Sequence, residues 1–547
     1  KLEYSYLEST VGFHRLAING LNNESNQPIV FNDISLICNG EIYNYKNLYT
    51  IMNVKPNTDS DCEVIIHLYL KYGIEQTLIM LDGVYSFVLF DFRINDNMLN
   101  HVFIARDPLG VRPLYKLYNI NDKYKLYNFY GFASELKCLE HFYNINPYNY
   151  SIEQFEPGTY SVFQYDTKNK SHWNPIINNK KYFIPSFPLS MYTLNVSLLE
   201  EEILRNISRY LSGAVVKRCM TTERPVACLL SGGLDSSLIA ALVANYFYKK
   251  GIKIETYSIG LEGSEDLKYA RIVANYLDTK HTEIIVTETE MFEIIPEVIK
   301  AIESYDTTTV RASIGNYLLG KYISTHSEAK VVFNGDGSDE LFGGYLYMNM
   351  CPDDIEFDKE TRRLLKDIHM FDVLRSDKSI SSHGLEPRTP FLDKNFVNLI
   401  LSIPPYFRNH KHYYKFDPND TCVEKYILRN SFTIYNFRDY NNKQILPDEI
   451  LWRKKEAFSD GVSSHGRSLY TILQEHICNK LNKDINEKMV GNENNNVFEP
   501  NITTEKYYYK MIFEQLYPKC NDVVPYFWMP KYIDSDDPSA RTLSIYK

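Results

Sequence analysis

No stretch of these 547 residues is long and apolar enough to cross a bilayer. The best run, residues 226–247, is interrupted by Gly232, Gly233 and Asp235, so no membrane role is expected. The nine cysteines lie far apart without a C-x-x-C pair, which offers neither a zinc site nor a disulfide framework. A reducing cytosol is the expected compartment. There is no basic stripe either: the net charge is −10 and the lysines are scattered, which argues against nucleic acid as a partner but leaves metal-bound nucleotide compatible. Finally, no lysine follows the double glycine at 232–233, so the glycine-rich turn there is not the common phosphate loop G-x-x-x-x-G-K-[ST].

The length points to two or more cores, and 44% hydrophobic with 23% charged residues is the balance of a soluble globular chain. The 45 tyrosines are an excess consistent with coding bias.

The most informative stretch is V-A-C-L-L-S-G-G-L-D-S-S, residues 226–237. A buried apolar run, two glycines and a hydroxyl- and carboxylate-rich helix start make a strand, a tight turn and an anion-binding helix N-terminus; the plain alternative is a turn with an Asp/Ser cap. S-G-G-L-D-S resembles the pyrophosphate loop of ATP pyrophosphatases. That resemblance implies that Ser231, Gly232, Gly233, Ser236 and Ser237 hold pyrophosphate and that Asp235 helps to hold magnesium.

Residues 1–165 alternate short β-rich runs (34–38, 84–90, 101–105, 129–133, 158–164) with turns and one helix at 61–71, an α+β domain on antiparallel sheet. Asn39-Gly40 announces a hairpin, yet a side-chain amide beside a glycine N–H also forms a two-donor oxyanion hole, and Glu41 could bind an α-ammonium group. Thr58-Asp59-Ser60-Asp61 caps the following helix, and Arg15 would supply a bidentate carboxylate clamp. These residues, with A-R-D-P-L-G-V-R-P-L-Y at 105–115 and F-A-S-E at 132–135, resemble the glutaminase domain of class II amidotransferases. The resemblance implies an αββα N-terminal-nucleophile hydrolase fold and a glutamine site of Arg15, Asn39, Gly40, Glu41 and Asp61. In that family a leading cysteine attacks the amide. Lys1 is not cysteine, so the expectation is a chain shortened at its N-terminus and without glutamine hydrolysis in residues 1–547, with a pseudo-glutaminase as the alternative.

Residues 166–192 read as a linker, and 193–547 as a second domain. There an amphipathic helix at 198–211 precedes alternating strands and helices, which implies a doubly wound parallel sheet with ligands beyond its carboxyl ends. A strand at 330–333 runs into N-G-D-G-S-D-E-L-F-G-G-Y, whose carboxylates would repel one another without a cation among them. The Asn/Lys/Tyr-rich stretches 406–419 and 483–496 read as surface insertions.

Taken with Y-D-T-T-T-V-R at 305–311, S-H-G-L-E-P-R-T-P-F-L-D at 382–393 and L-W-R-K-K-E-A-F-S-D-G at 451–461, these motifs resemble, in order and almost end to end, the glutamine-hydrolysing asparagine synthetases. The resemblance implies ATP and Mg²⁺, with aspartate and glutamine or ammonia as the other substrates; a homodimer is left open. Leu230, Ile259, Asn334 and Gly335 would contact nucleotide and Asp235 and Asp339 the metal. Thr308, Thr309 and Arg311 would hold aspartate, with Arg311 and Lys455 adding positive charge at the reaction. Asp336 stands where the family has glutamate, one methylene longer, and is the expected catalytic carboxylate. Two rivals are a β-lactam synthetase-like ligase, disfavoured by the retained glutamine-site residues, and a catalytically silent scaffold.

Overall fold

A computed structural model of the chain describes residues 2–6, 9–93, 100–120, 130–145, 147–166, 172–186, 196–416, 423–455, 461–463, 467–488 and 499–538. Parts of several stretches singled out above lie outside these residues: Lys1, Phe129, 187–192 and parts of 166–171, 417–419, 456–460 of the L-W-R-K-K-E-A-F-S-D-G motif, and 489–496. The chain divides into two compact units, Lys1–Pro185 with Met220–Pro225, and Ser186–Cys219 with Val226–Lys547. No helix among the described residues is long and apolar enough to cross a membrane.

In the first unit β1 (Leu2–Tyr6) and β2 (Ser9–Phe13) pair antiparallel. A six-stranded antiparallel sheet follows, built of β3 (Ile29–Phe31), β4 (Ile34–Ile42), β5 (Gly83–Asp91), β6 (His101–Arg106), β10 (Thr159–Asp166) and β11 (His172–Lys181). Three shorter strands, β7 (Tyr115–Asn119), β8 (Tyr130–Ala133) and β9 (Tyr150–Gln154), form a second sheet.

The two-residue period of the strands separates the faces of the large sheet. Tyr85, Phe87, Leu89, Phe103 and Ala105 pack under α1 (Tyr45–Met52) and α2 (Val64–Met80), the latter broken at Gly73. Phe90, Val102 and Ile104 turn the other way and meet Leu114, Phe132 and Phe155 of the three-stranded side. On that sheet's outer face Leu139 of α3 (Lys137–Ile145) rests on Gly131. The layers therefore run helix, sheet, sheet, helix.

Two expectations are corrected here. Asn39-Gly40 is not a hairpin turn: β4 continues through both residues, paired with Ser86 and Tyr85 of β5. A side chain at 40 would collide with the Val84 carbonyl oxygen, so glycine is needed for strand contact. The expected linker is not wholly linker: residues 172–181 form β11, the edge of the large sheet, because its polar residues suit a solvent-facing edge.

The second unit carries a five-stranded, all-parallel sheet of order β14-β13-β12-β15-β16, from β12 (Val226–Leu229), β13 (Glu255–Gly260), β14 (Lys280–Ile285), β15 (Val331–Phe333) and β16 (Glu386–Arg388). The chain winds outward from β12 in one direction through β14 and then returns to β15 on the other side. That places the reversal of strand order between β12 and β15, where such sheets open a crevice. Helices α5 (Leu234–Tyr248) and α6 (Glu265–Leu277) connect the first strands, and α7 (Glu288–Glu293), α8 (Ile295–Ile302) and α9 (Thr307–His326) lead back to β15. From Leu238 to Ala244 every residue of α5 is apolar and buried, as the middle of a helix enclosed on all sides must be. The expected helix at 198–211 is longer, α4 (Val196–Met220), and α9 starts at Thr307, so the Y-D-T-T-T-V-R motif forms its first turns.

Candidate active site

At the reversal between β12 and β15 the two glycine-rich loops meet. Leu230, Ser231, Gly233, Asp235 and Ser236 from the first, and Asn334, Gly335, Asp336 and Asp339 from the second, line one cavity with Ile259, Thr308, Arg311 and Lys455. Contact between the loops is backbone to backbone: a side chain at Gly335 would stand 2.7 Å from the Ser236 nitrogen. Within the first loop Ser236 Oγ accepts from Ser231 N–H (3.1 Å) and lies 2.9 Å from Ser231 Oγ, while Gly233 N–H donates to Ser231 Oγ (3.3 Å).

Three expected site residues do not line this cavity. Gly232 takes φ +72° and presses on Tyr269 and Ala270 of α6, so its role is to make the turn. Ser237 is fully buried inside the first turn of α5, its hydroxyl without a hydrogen-bond partner among the described residues. Thr309 gives its hydroxyl to Asp306 Oδ1 (2.7 Å), which also caps α9 by accepting Thr309 N–H (2.8 Å). Thr308 does line the cavity, with a buried hydroxyl that has no partner among the described residues.

The chemistry concentrates in four charges. Asp235 Oδ2 and Asp339 Oδ1 each sit 2.6 Å from Lys425 Nζ, and Asp339 Oδ2 sits 2.5 Å from Lys455 Nζ. Asp235 also accepts from Ser338 Oγ (2.8 Å) at the start of the short helix Ser338–Phe342. Burial would raise the Asp339 carboxyl, but Lys425 and Lys455 outweigh it and hold the group well below the usual range. In Lys455 burial works downward and the two aspartates prevail, holding the ammonium above its ordinary value. Two carboxylates and two ammoniums leave the cluster formally neutral.

Among the described residues no group of three or more His, Cys, Asp or Glu side chains is placed to hold a metal. The pair fits magnesium nonetheless: the ion is commonly held by one or two carboxylates together with substrate phosphates, and Asp235 and Asp339 already converge on one cationic point.

Lys425 was not identified from sequence. It lies in a motif-poor stretch, in a left-handed conformation (φ +60°) just ahead of a helix. Arg375, beside Asp336 (3.3 Å) and Asp372 (2.8 Å), also carries no sequence signal. Asp336 is half-buried, with one enclosed oxygen that has no partner among the described residues; its partial burial raises its carboxyl and Arg375 only partly offsets this. Arg311 reaches the cavity wall, but its guanidinium grips Glu505 (2.7 and 2.5 Å) and Asp537 (2.9 and 2.9 Å) in two forks.

In the first unit Asp61 and Glu41 lie near enough to Arg15 for their charges to act on its guanidinium, although burial outweighs them and lowers it from its ordinary value. Arg15 is held by the carbonyls of Asn19 (2.8 Å) and Gly20. Glu41 accepts from the Asn19 amide (2.5 Å), Asp61 from Ile42 N–H (2.6 Å), and Asn39 donates to Ser134 Oγ (3.0 Å). Ser60, not Asp61, caps the helical turn. Cys62 lies close by, but a hydrogen bond with Cys38, burial and the charge of Asp61 push its thiol well up, the reverse of an activated nucleophile. The R-D-P-L-G-V-R motif is scaffold: Asp107 accepts from the N–H groups of Leu109, Val111 and Arg112, and Arg106 donates to three carbonyls.

Comparison with known proteins adds two domain families. An asparagine synthase model matches residues 207–354 and 349–534, and a glutamine amidotransferase domain model matches residues 3–177. The chain is 40% identical over 550 residues to asparagine synthetase [glutamine-hydrolyzing] of Gallus gallus, covering 98% of this chain and 91% of the relative. The proteins of that name from Cricetulus griseus and Homo sapiens are 39% and 38% identical, each covering 99% of this chain and 92% of the relative.

Proposed function

Because this chain belongs to the glutamine-hydrolysing asparagine synthetase family, we propose that it makes L-asparagine from L-aspartate, ATP and the amide nitrogen of glutamine. It is a ligase, and its two units divide the work. The convergence of both glycine-rich loops on one cavity with Asp235, Asp339, Lys425 and Lys455 is the observation that carries the reading.

In the second unit the aspartate side-chain carboxylate attacks the α-phosphorus of ATP, and pyrophosphate leaves into the loop of Ser231, Gly233 and Ser236. Ammonia then attacks the acyl carbon of the aspartyl-AMP, the acyl–oxygen bond breaks, and AMP departs. Asp235 and Asp339 would hold magnesium, which supplies neutralising charge to the polyphosphate. Their lysines are then free to turn toward phosphate oxygens, so the cluster exchanges one set of counter-charges for another. Thr308 offers its unpartnered hydroxyl at the N-terminus of α9, whose dipole favours a carboxylate; this supports an aspartate subsite there. Asp336 is the group we assign to the ammonia step. Arg311 acts through Glu505 and Asp537 instead of on substrate.

In the first unit Arg15 and Glu41 suit the carboxylate and ammonium of glutamine, and Asn39 with Gly40 an oxyanion. The helix-sheet-sheet-helix layering supports an N-terminal-nucleophile hydrolase fold for this half. Reduced thiols fit a cytosolic enzyme: eight cysteines among the described residues are free and seven of them buried.

The test is product analysis with ATP, aspartate and ammonium. Asparagine, AMP and pyrophosphate are expected in equal amounts, and asparagine formed with ADP would overturn the mechanism.

A further inference from the structure

Residues 526–538 contain neither helix nor strand, yet they close one side of the cavity: Trp528 and Pro538 both line it. Both ends of this strap are tied to the first turns of one helix. Trp528 N–H donates to Asp306 Oδ2 (2.8 Å), the N-cap of α9, and Asp537 forks onto Arg311 one turn further on (2.9 and 2.9 Å). Gln474 adds a donor to Asp537 (3.2 Å), and Lys531 pairs with Glu356 (3.0 Å) between the ends. The Trp528 ring lies against Tyr345 (5.4 Å) and Tyr347 (6.1 Å) and is 7% exposed. An irregular segment has no ladder of its own to hold it, so these side-chain ties set its position. They hold an indole beside Tyr345, which is itself on the cavity wall with Asp336 and Arg375.

We propose that the strap 526–538, latched by Asp537 on Arg311, keeps water from the acyl-adenylate by means of the Trp528 indole, so that ammonia is the nucleophile that completes the reaction. The inference rests on the aspartyl-AMP reading above. The side reaction it suppresses is balanced: the water oxygen bonds to the acyl carbon, the acyl–oxygen bond to phosphorus breaks, AMP leaves, aspartate is regenerated and a proton is released. Trp528 is a positioning residue here, because it excludes a competitor and transfers nothing.

The experiment measures AMP and asparagine together, with ammonium as nitrogen source, in the full chain and in Trp528→Ala, Trp528→Phe and Asp537→Asn. One AMP per asparagine is expected of the parent. Trp528→Ala should raise AMP several-fold over asparagine, Trp528→Phe should bring the ratio back toward one, and Asp537→Asn should raise it less than Trp528→Ala. A ratio of one in Trp528→Ala and Asp537→Asn, with both products reduced alike, would overturn the proposal and leave the strap a purely structural element. Should Trp528→Ala not fold, Asp537→Asn and Trp528→Phe decide the matter by the same ratio. Absence of aspartate-dependent AMP in the parent would instead overturn the adenylation reading itself.

Discussion

The two candidate sites hold their carboxylates in opposite ways. In the first unit Glu41 and Asp61 accept from neutral donors, the Asn19 amide and the Ile42 N–H. In the second, Asp235 and Asp339 are paired with the ammoniums of Lys425 and Lys455. Neutral donors fix a carboxylate in place and leave its charge available to a cationic group of the ligand. Ammonium partners cancel that charge until a competing cation and a polyanion arrive together, which suits a site that must accept magnesium and polyphosphate and then release them. The first site is preset for an amino acid, and the second stores its own counter-ions.

The largest effect expected from this contrast is in the charge cluster. Asp235→Asn keeps a tolerable first-turn residue but leaves Lys425 with one carboxylate and removes a proposed ligand of magnesium. Aspartate-dependent AMP formation should fall on the order of 10²-fold or more. Ordinary turnover in that variant would reduce Asp235 to a helix-start residue. Next comes Arg311→Met, which leaves the buried carboxylates of Glu505 and Asp537 without their cation, with the neutral Gln474 amide as a donor to both. A loss of about 3–5 kcal/mol in urea unfolding is expected, and an unchanged midpoint would show that the pair is dispensable to the fold.

Glu41→Gln sharpens the comparison from the other side. The Asn19 hydrogen bond can persist while the charge is lost, so the Kd for glutamine should rise about ten-fold or more and ammonium-dependent synthesis should stay as it was. Unchanged glutamine binding, or a fall in ammonium-dependent synthesis, would sink the assignment.

Asp336→Asn probes a cavity carboxylate that burial raises despite the Arg375 guanidinium beside it. Its folded pKa lies above the ordinary 3.8, so the penalty on the native state is absent below that pH, grows as pH rises toward the folded value and persists above it. The Asn variant should therefore melt higher than the parent at neutral pH and equally near pH 3 while losing synthesis, and Asp336→Glu should keep synthesis. A lower melting temperature at neutral pH would show that the Arg375 pairing outweighs burial. The smallest effect is expected of Ser237→Ala, whose buried hydroxyl has no partner among the described residues to lose. A large fall in its activity would restore it to the pyrophosphate loop.

Sequence was most legible where function follows the chain locally. Asn39, Gly40 and Glu41 are neighbours on β4, and the loop after β12 is one contiguous motif, so the motifs and the resemblance they carry singled them out. It failed where partners come from far away. Lys425 reaches Asp235 across 190 positions, and Asp537 reaches Arg311 across 226. The motif around Arg311 correctly marked the cavity wall, yet its role changed once two distant carboxylates were seen on its guanidinium. Gly232 and Ser237 belong to the right motif but face inward, which depends on how the first turn of α5 packs. β11 escaped because an edge strand needs little apolar content.

The central claim is that the aspartate carboxylate is activated by joining AMP, and an oxygen label tests it most directly. With the side-chain carboxylate of aspartate labelled with heavy oxygen, the label should pass into the phosphoryl group of AMP, one atom for each asparagine formed. Label recovered in phosphate or pyrophosphate, or AMP free of label while asparagine accumulates, would contradict the account.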